Sequence, residues 1–289
     1  MLYGGIEAGG TKFVCAVGNQ HGDIIERISV ETTTPKETME EVISFFGKFD
    51  IASIGIGSFG PIDVNEESST YGSITTTPKL AWRGYPFVAA MKEAFHVPVG
   101  FNTDVNVAAL GEVTYGAAAG LDSCLYITIG TGIGAGAVVR GELLKGLSHP
   151  EMGHILVRRH PQDTYVGNCP YHKDCLEGLA AGPAIKARWG KRGMDLQNQQ
   201  EVWEIEGYYI AQALMQYILV LSPKKIIIGG GVMKQKQLFP IIYRHVTKLI
   251  NHYVELPAGS EYIVSPKLGD NSGIIGSLIL AHQMHTESH

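Results

Sequence analysis

The pattern of hydrophobic and polar positions predicts helices and short strands in alternation along the chain. The stretch at 35–49, PKETMEEVISFFGKF, has apolar residues at helical spacing, which would share one face of a helix: Met39, Val42, Ile43, Phe46 and Phe49. Thr34 is suited to cap this helix, and Pro35 is suited to its first turn. We therefore expect a helix that begins at Pro35.

Other stretches with the helical period follow, and short runs of β-branched residues separate them. The predicted helices cover 85–96, 105–119, 201–222, 239–250 and 272–283. The predicted strands cover 97–101, 224–230 and 261–266. Because helices that alternate with strands pack on the faces of a sheet, this order indicates an α/β fold with mostly covered sheets.

Glycine-rich turns interrupt the β-branched runs at four places. The chain has 36 glycines in 289 residues, above the ~7% of an average protein, and many of them fall at 4–13, 54–63, 127–139 and 226–233. The turns within 5–17 and 129–139 each stand between two strand-like runs. The similarity of these two stretches favours two duplicated domains. The length of the chain suits two domains of about 100–200 residues each.

A glycine-rich turn can bring backbone N–H groups close to a phosphate, because no Cβ blocks the approach. The chain has neither the P-loop spacing GxxxxGK[ST] nor the strand, turn and helix of a Rossmann fingerprint. Instead, two of the turns return into a second strand, and a third, Gly229–Gly231, precedes a helical stretch. Each turn alone could be plain turn geometry, but the three together indicate the actin-like ATPase and sugar kinase fold.

Composition and charge exclude several classes of protein. Hydrophobic residues make up 45% of the chain and charged residues 18%, which argues against disorder. A net charge of -5 and a pI near 6.1 provide no general positive field for DNA, RNA or an anionic membrane. We find neither a secretory leader pattern nor the ~20 consecutive apolar residues of a spanning helix. We expect a cytoplasmic protein without nucleic-acid or membrane partners.

Half of the four cysteines fall within CPYHKDC, which holds Cys169, His172 and Cys175. His154 completes an H-x14-C-x2-H-x2-C pattern, and four nitrogen and sulfur ligands suit a closed tetrahedral zinc site. Such a site is structural, because no coordination position remains for a substrate. The alternatives are ordinary surface histidines or an independent zinc finger, but no basic stripe accompanies the motif.

Five motifs in order along the chain resemble those of the ROK family of bacterial sugar kinases and repressors. They are GGTK (9–12), TDVNVAALGE (103–112), GTGIGAG (130–136), PEMGH (150–154) and CPYHKDCLEG (169–178). IEAGGTKF and CPYHxxCLEG are similar to the fructokinase branch of the family in particular. The resemblance implies an α/β, actin-like ATPase (ribonuclease H-like) fold with two duplicated domains around a cleft.

The resemblance also implies domain boundaries. An N-terminal actin-like domain would comprise residues 1–117, with residues 273–289 packing back on it. The C-terminal domain, 118–272, would carry the zinc-bound substrate loop. A repressor of this family would need a DNA-binding helix-turn-helix before the first phosphate loop, and that loop starts at residue 4, so we expect a kinase.

Roles for individual residues follow from the same resemblance. The general base would be Asp104, for which the alternative is an N-cap of the helix at 105–119. The sugar hydroxyls would contact Thr103, Asp104, Glu151, His154 and Glu177. The first phosphate loop would comprise Glu7, Gly9, Gly10, Thr11 and Lys12, and the second Gly130, Thr131, Gly132 and Gly134. The adenosine turn would be Gly229, Gly230 and Gly231.

Three positions depart from the usual family pattern. Glu7 stands where the wider family has Asp, Thr103 where most relatives have Asn, and His172 where the usual zinc pattern has Cys. The sugar pocket is therefore expected to differ from that of a glucokinase. His149 and His160 lie off the zinc pattern, and we expect them to be solvated.

The resemblance thus implies ATP-dependent phosphorylation of D-fructose to fructose 6-phosphate, with Mg-ATP as the donor and Zn²⁺ as a structural ion. Mg²⁺ would bridge the phosphates and need few protein ligands. The preference for fructose follows from the resemblance alone. The alternatives are a hexokinase that prefers mannose, glucose or an amino sugar, and a non-catalytic sugar-sensing ROK protein. The resemblance also implies a homodimer.

Overall fold

In the computed structural model, which describes residues 1–287, strands of the first half of the chain form one five-stranded sheet. They are β1 (Leu2–Ala8), β2 (Lys12–Gly18), β3 (Ile24–Glu31), β4 (Ile51–Ser58) and β5 (Val99–Thr103). The sheet order is β3-β2-β1-β4-β5. Strands β1, β2 and β3 are antiparallel neighbours, whereas β4 is parallel to β1 and β5 to β4.

A second five-stranded sheet repeats this arrangement. Its strands are β6 (Cys124–Ile129), β7 (Ile133–Val139), β8 (Glu142–Leu143), β9 (Ile226–Gly229) and β10 (Ile263–Val264). The order is β8-β7-β6-β9-β10. As in the first sheet, the opening hairpin β6–β7 is antiparallel and the later strands β9 and β10 are parallel. The common strand order agrees with the duplication that the two glycine-rich turns indicate.

Helices follow the strands in both halves of the chain. They are α1 (Pro35–Phe46), α2 (Phe87–Phe95), α3 (Asp104–Thr114), α4 (Leu176–Ala180), α5 (Gly182–Trp189), α6 (Gln200–Leu221), α7 (Leu238–Ile250), α8 (Gly259–Tyr262) and α9 (Ser272–Glu287). The predicted strand at 261–266 is reduced to β10, because α8 occupies its first residues. Within residues 1–287, none of the helices combines the length and apolarity that a bilayer crossing requires.

Helix α1 begins at Pro35, as predicted, and Thr34 is its N-cap. The Thr34 hydroxyl accepts a hydrogen bond from the Glu37 N–H, and the Glu37 carboxylate accepts one from the Thr34 N–H, which together form a capping box. The buried apolar residues of the helix are Met39, Val42, Phe45 and Phe46. The prediction was wrong for Ile43, which is 37% exposed because the buried face is centred nearer Phe45.

Two compact units contain these elements. The first comprises residues 1–120, 143–150 and the chain from Lys267 onward, and the second comprises 121–142 and 151–266. The sequence-based division placed segment 143–150 in the other domain. The segment joins the first unit, where His149 Nε2 accepts a hydrogen bond from the Ile62 N–H (3.1 Å). The expectation that His149 is solvated was therefore wrong, since it is buried.

A buried carboxylate fastens the end of the chain to α3 in the first unit. Glu112 accepts hydrogen bonds from the N–H groups of Ala117 (2.6 Å), Lys267 (3.1 Å) and Leu268 (2.9 Å), and from the Ser272 hydroxyl (2.7 Å). Because these donors satisfy its charge, the carboxylate can lie fully inside the protein. Helix α9 therefore packs within the first unit. The predicted return of the chain extended to residue 289, and residues 288 and 289 lie outside the described residues.

Candidate active site

The first glycine-rich loop joins β1 to β2. The Gly9 N–H donates to the Lys12 carbonyl (3.0 Å), and a Cβ at position 9 would lie 2.8 Å from that oxygen, so the turn requires glycine there. Thr32 supports the loop, because its hydroxyl donates to the Gly9 carbonyl (2.7 Å) and its N–H to the Thr11 carbonyl (3.0 Å). The side chains of Thr11 and Lys12 are exposed and can meet an anionic ligand.

Glu7 lies near the end of β1, one residue before the strand's last position. Burial raises the pKa of its carboxyl, and the charges of Arg27 and Lys12 oppose that rise. A Cβ at position 273 would lie 2.5 Å from Glu7 Cδ. Gly273 therefore leaves room for a glutamate at the position where the wider family is expected to have aspartate.

Thr103 and Asp104 lie where β5 passes into α3. Thr103 is the N-cap of the helix, because its hydroxyl oxygen accepts a hydrogen bond from the Asn106 N–H (3.2 Å). The alternative that made Asp104 the N-cap was therefore wrong. Asp104 is the first helical residue, half-buried, and its Oδ1 accepts from the Val105 N–H (2.9 Å). Thr103 is only 5% exposed, and its capping bond uses the hydroxyl oxygen as an acceptor, so a sugar contact there would use the hydroxyl as a donor.

Asn102 is a residue of this region that the sequence did not single out. Its Oδ1 accepts hydrogen bonds from the Thr103 N–H (2.9 Å) and from Asn106 Nδ2 (2.7 Å). Oδ1 of Asn106 is buried and has no hydrogen-bond partner within the described residues. The two amides thus fix the backbone just before Asp104. The sequence feature that could have indicated Asn102 is the polar run Asn-Thr-Asp directly after the predicted strand at 97–101.

The second glycine-rich loop joins β6 to β7. Its Gly130 N–H donates to the Gly132 carbonyl (2.9 Å), and β7 begins at Ile133, so the loop continues into a strand as predicted. A Cβ at Gly130 would meet nothing within 4 Å. Thr131 is exposed. Gly130 is therefore not required by packing, and its surroundings leave space for a ligand.

The glycines of the predicted adenosine turn differ in their roles. Gly229 is the last residue of β9. Gly230 has a φ of +91°, and a Cβ there would lie 2.4 Å from the Ile129 carbonyl oxygen, so this position requires glycine. Gly231 has open space around its Cα. The first two glycines therefore shape the turn, and the third faces a cavity.

That cavity lies within the second unit and has a volume of about 1460 Å³. Its lining includes Gly130 and Thr131 of the second loop together with Gly231. Apolar parts of the lining are Pro183, Ile185, Trp203, Val232, Pro240 and Ile241. Its cationic side chains are Lys186, Arg192, Lys234, Lys236 and Arg244. An apolar wall next to glycine-rich turns and cations suits a nucleotide, whose base is flat and whose phosphates are negative.

The four predicted zinc ligands come together in the second unit. The ligand atoms of His154, Cys169, His172 and Cys175 all lie within 4.8 Å of one another. His154 Nδ1 is 3.7 Å from Cys169 Sγ and 3.6 Å from Cys175 Sγ, and His172 Nδ1 is 3.8 Å from Cys169 Sγ. Zinc bond lengths place tetrahedral sulfur and nitrogen ligands about 3.6 Å apart, so the donor set fits a metal ion of that kind.

The predicted sugar-binding residues of the second unit have contacts of their own. His154 directs Nδ1 at the two cysteines, so a sugar contact through this ring would have to use Nε2. Glu177 Oε2 accepts a hydrogen bond from the Ile133 N–H (2.9 Å) in the second loop. Glu151 is exposed. The sequence had not indicated that Glu177 contacts the second glycine-rich loop.

Two sheets of common strand order, each with a glycine-rich turn in its first hairpin, define the actin-like ATPase fold. A ROK hexokinase structure from Thermus thermophilus has this fold, with a TM-score of 0.83, 24% identity, and coverage of 99% of this chain and 100% of that one. The sequence profile of the ROK family matches residues 3–284. The protein belongs to the ROK family.

Two relatives are much closer in sequence. A Bacillus subtilis protein named "Putative fructokinase" is 64% identical over 286 residues, which is 98% of this chain and 96% of the relative. A Streptococcus mutans protein named fructokinase is 48% identical over 289 residues, with coverage of 98% of both chains. The similarity therefore extends over nearly the full length of each relative.

Proposed function

We propose that this protein transfers the γ-phosphoryl group of ATP to the 6-hydroxyl of D-fructose. The observation that carries the proposal is the full-length similarity to proteins named fructokinase. The site supports it, because the second unit has a nucleotide-sized cavity next to a glycine-rich loop and the first unit has a carboxylate, Asp104, at the start of α3. Phosphoryl transfer requires both a nucleotide site and a group that accepts the hydroxyl proton.

Asp104 is the general base of the proposed reaction. As the sugar oxygen bonds to the γ-phosphorus, the bond between that phosphorus and the oxygen that bridges the β- and γ-phosphates breaks. ADP then leaves. The hydroxyl proton passes to the Asp104 carboxylate. The bonds that Asn102 and Thr103 make fix the backbone at the start of α3, and the Val105 N–H donates to the Asp104 carboxylate; together these bonds support the positioning that general-base catalysis requires.

The nucleotide is bound by the two glycine-rich loops and the adenosine turn. Thr131 offers its hydroxyl to the β- or γ-phosphate, and Lys12 and the cations of the cavity balance the negative charge. Mg²⁺ bound with the nucleotide would neutralise part of the charge that develops during transfer. In the proposed reaction Glu7 would accept hydrogen bonds from the water shell of that ion.

Zinc is the proposed occupant of the His154, Cys169, His172 and Cys175 cluster. Four protein ligands leave no coordination position for a substrate, so the ion is structural. Bound there, it would fix the segment that carries Glu151, His154 and Glu177, the proposed contacts of the sugar hydroxyls. Preorganised contacts avoid an entropic cost when the sugar binds.

The resemblance to the ROK family supports two further proposals. The protein forms a homodimer, to which exposed apolar residues of α6 such as Leu219 and Val220 can contribute. It acts in the cytoplasm, where Mg-ATP is the common phosphoryl donor and zinc-binding thiols remain reduced. Light scattering after size exclusion measures the first, and fractionation of cells that express the protein measures the second.

The test of the function is ADP release by the purified protein with Mg-ATP and each of fructose, mannose, glucose, glucosamine and N-acetylmannosamine. We expect the highest kcat/KM with fructose, and a loss of about 10²–10⁴-fold in kcat for Asp104→Asn. The matched control is Asp23→Asn, since Asp23 is an exposed aspartate bonded to Asn19. A faster reaction with another hexose would reassign the substrate, and no stimulation by any sugar would favour a sugar-sensing protein without catalysis.

A further inference from the structure

Three segments contact the second glycine-rich loop, Gly130–Ile133, and each lies close in sequence to one of the four proposed metal ligands. These ligands, His154, Cys169, His172 and Cys175, are called the metal cluster below. Gly153 comes one residue before His154, and Glu177 comes two residues after Cys175. Gly182 begins α5, which follows the short helix α4 that Cys175 caps. The metal cluster and the loop are therefore joined by short pieces of backbone.

Glu177 contacts the loop through its carboxylate. Its Oε2 accepts a hydrogen bond from the Ile133 N–H at 2.9 Å. A Cβ at Gly132 would lie 2.7 Å from the same oxygen, so the carboxylate lies against the peptide that joins Gly132 to Ile133. Glycine at position 132 therefore makes room for this carboxylate.

Gly153 provides a second contact, with the carbonyl group of Ile133. A Cβ at Gly153 would lie 1.8 Å from the Ile133 oxygen, so the two backbones are in direct contact. Because His154 is the next residue, a metal ion bound to its ring would fix this contact as well. The segment before the metal ligand thus packs against the start of β7.

Gly182 provides the third contact, at the other end of the loop. Its N–H donates to the Gly130 carbonyl at 2.8 Å. The Ala181 N–H donates to the Glu177 carbonyl at 3.1 Å, so a hydrogen bond at the end of α4 connects Glu177 to the residue before Gly182. Both ends of the loop, Gly130 and Ile133, are therefore held by residues that follow Cys175.

We propose that the metal cluster positions the second phosphate loop, with Glu177 as the positioning residue, so that a filled metal site strengthens nucleotide binding. This inference rests on the proposed function, in which the loop binds the phosphates of ATP. The physical reason is preorganisation: N–H groups that already point at the phosphates need no ordering when the nucleotide arrives. Residues behind the direct ligands of a site commonly set its geometry in this way.

The test is the affinity for Mg-ADP, measured by isothermal titration calorimetry without sugar, for the wild type and three variants. Glu177→Ala removes the contact with Ile133, whereas Glu177→Gln keeps an oxygen that can accept the same hydrogen bond. Asp174→Ala is the matched control, because Asp174 is also next to Cys175 but its carboxylate contacts Arg159 (3.1 Å). Zinc content is measured for every sample, so that only metal-loaded proteins are compared.

We expect the Kd for Mg-ADP to rise about tenfold in Glu177→Ala and by no more than about twofold in the other two variants. Metal removal with a chelator, which is dialysed away before Mg-ADP is added, is expected to raise the Kd of the wild type about tenfold as well, while circular dichroism shows retained secondary structure. The same treatment should change Glu177→Ala less, because both changes act on the same contact.

The inference is overturned if metal-loaded Glu177→Ala binds Mg-ADP as tightly as the wild type. It is also overturned if metal removal raises the Kd of both proteins by the same factor, since the two effects would then be independent. In either case a wild type that binds Mg-ADP leaves the proposed function standing. A wild type that does not bind Mg-ADP overturns the proposed function and this inference together.

Discussion

The loop at Gly9–Lys12 and the loop at Gly130–Ile133 join equivalent strands of two sheets with the same order, but different parts of the chain hold them. The first is bonded to Thr32, which directly follows the third strand of its own sheet. The second is bonded to Glu177 and Gly182, which lie in helices beyond the metal cluster. One hairpin is thus held from its own sheet, and the other is held by a segment that lies in the chain between β8 and β9.

This difference shows how a duplicated fold can come to have two distinct halves. The repeated part is the strand order and the glycine-rich turn. The distinct part of the second unit is segment 151–182, which carries the four candidate metal ligands and the residues that contact the loop. The first unit instead uses the buried Glu112 carboxylate to fasten its last helix. Each unit therefore has its own carboxylate that accepts hydrogen bonds from distant backbone, Glu112 in the first and Glu177 in the second. Each can be substituted separately.

The largest effect on stability is expected from Glu112→Ala. The change removes the acceptor of three part-buried N–H groups and of the Ser272 hydroxyl, which keeps only its bond to the Gly269 carbonyl, and should lower the free energy of unfolding by about 3–5 kcal/mol. Urea unfolding followed by circular dichroism measures it. Glu93→Ala, at an exposed position of α2, is the control and should change stability by less than about 0.5 kcal/mol. A loss below about 1 kcal/mol for Glu112→Ala would contradict the claim that Glu112 stabilises the attachment of α9 to the first unit.

A smaller loss is expected from Gly153→Ala in the second unit. Its Cβ would lie 1.8 Å from a backbone oxygen, so the backbones must separate at a cost of about 2–3 kcal/mol. Gly130→Ala is the matched variant, because its Cβ meets nothing within 4 Å and its methyl group enters the cavity. Thermal unfolding should therefore distinguish the two, and nucleotide titration should show weaker binding for both. Equal melting temperatures would contradict this difference.

Thr32→Val tests the support of the first loop. The substitution keeps the shape of the side chain and removes the hydrogen bond to the Gly9 carbonyl, so we expect a loss of about 1 kcal/mol. The metal content should be unchanged, because the cluster belongs to the second unit. Hydrogen exchange should increase in a peptide that covers 4–13 and not in one that covers 127–139. Increased exchange in both peptides would show that the two loops are not held independently.

The smallest effect concerns Glu206, a fully buried residue of α6. Burial raises the pKa of its carboxyl well above the ordinary value; Arg188 opposes that rise and Asp163 adds to it. A raised folded-state pKa contributes stability that is complete below the unfolded pKa of about 4.3 and is lost as pH rises through the folded-state value. Glu206→Gln does not titrate, so it should be about 1 kcal/mol more stable than the wild type at pH 8. Unfolding at pH 5 and pH 8 measures this, and identical pH profiles for the two proteins would contradict it.

The glycine-rich turns and the grouping of His154, Cys169, His172 and Cys175 could be predicted from the sequence, because local glycine clusters and ligand spacing indicate them. Gly9 and Gly230 meet backbone oxygens that exclude a Cβ, and such positions stand out as glycine clusters after strands. The bond from Ile133 to Glu177 spans 44 residues and that from Lys267 to Glu112 spans 155, so no periodicity or spacing indicates them. For the same reason the burial of His149 was missed, since its partner Ile62 is 87 residues away.

The central claim is that the terminal phosphate of ATP is transferred to the 6-hydroxyl of fructose. The most direct measurement is phosphorus NMR of the purified protein with Mg-ATP and fructose, which identifies every phosphorus-containing product. The account predicts that fructose 6-phosphate and ADP appear in equal amounts, and that Asp104→Asn produces neither at a comparable rate. Release of inorganic phosphate in place of a sugar phosphate, or a phosphate on a different hydroxyl, would contradict it.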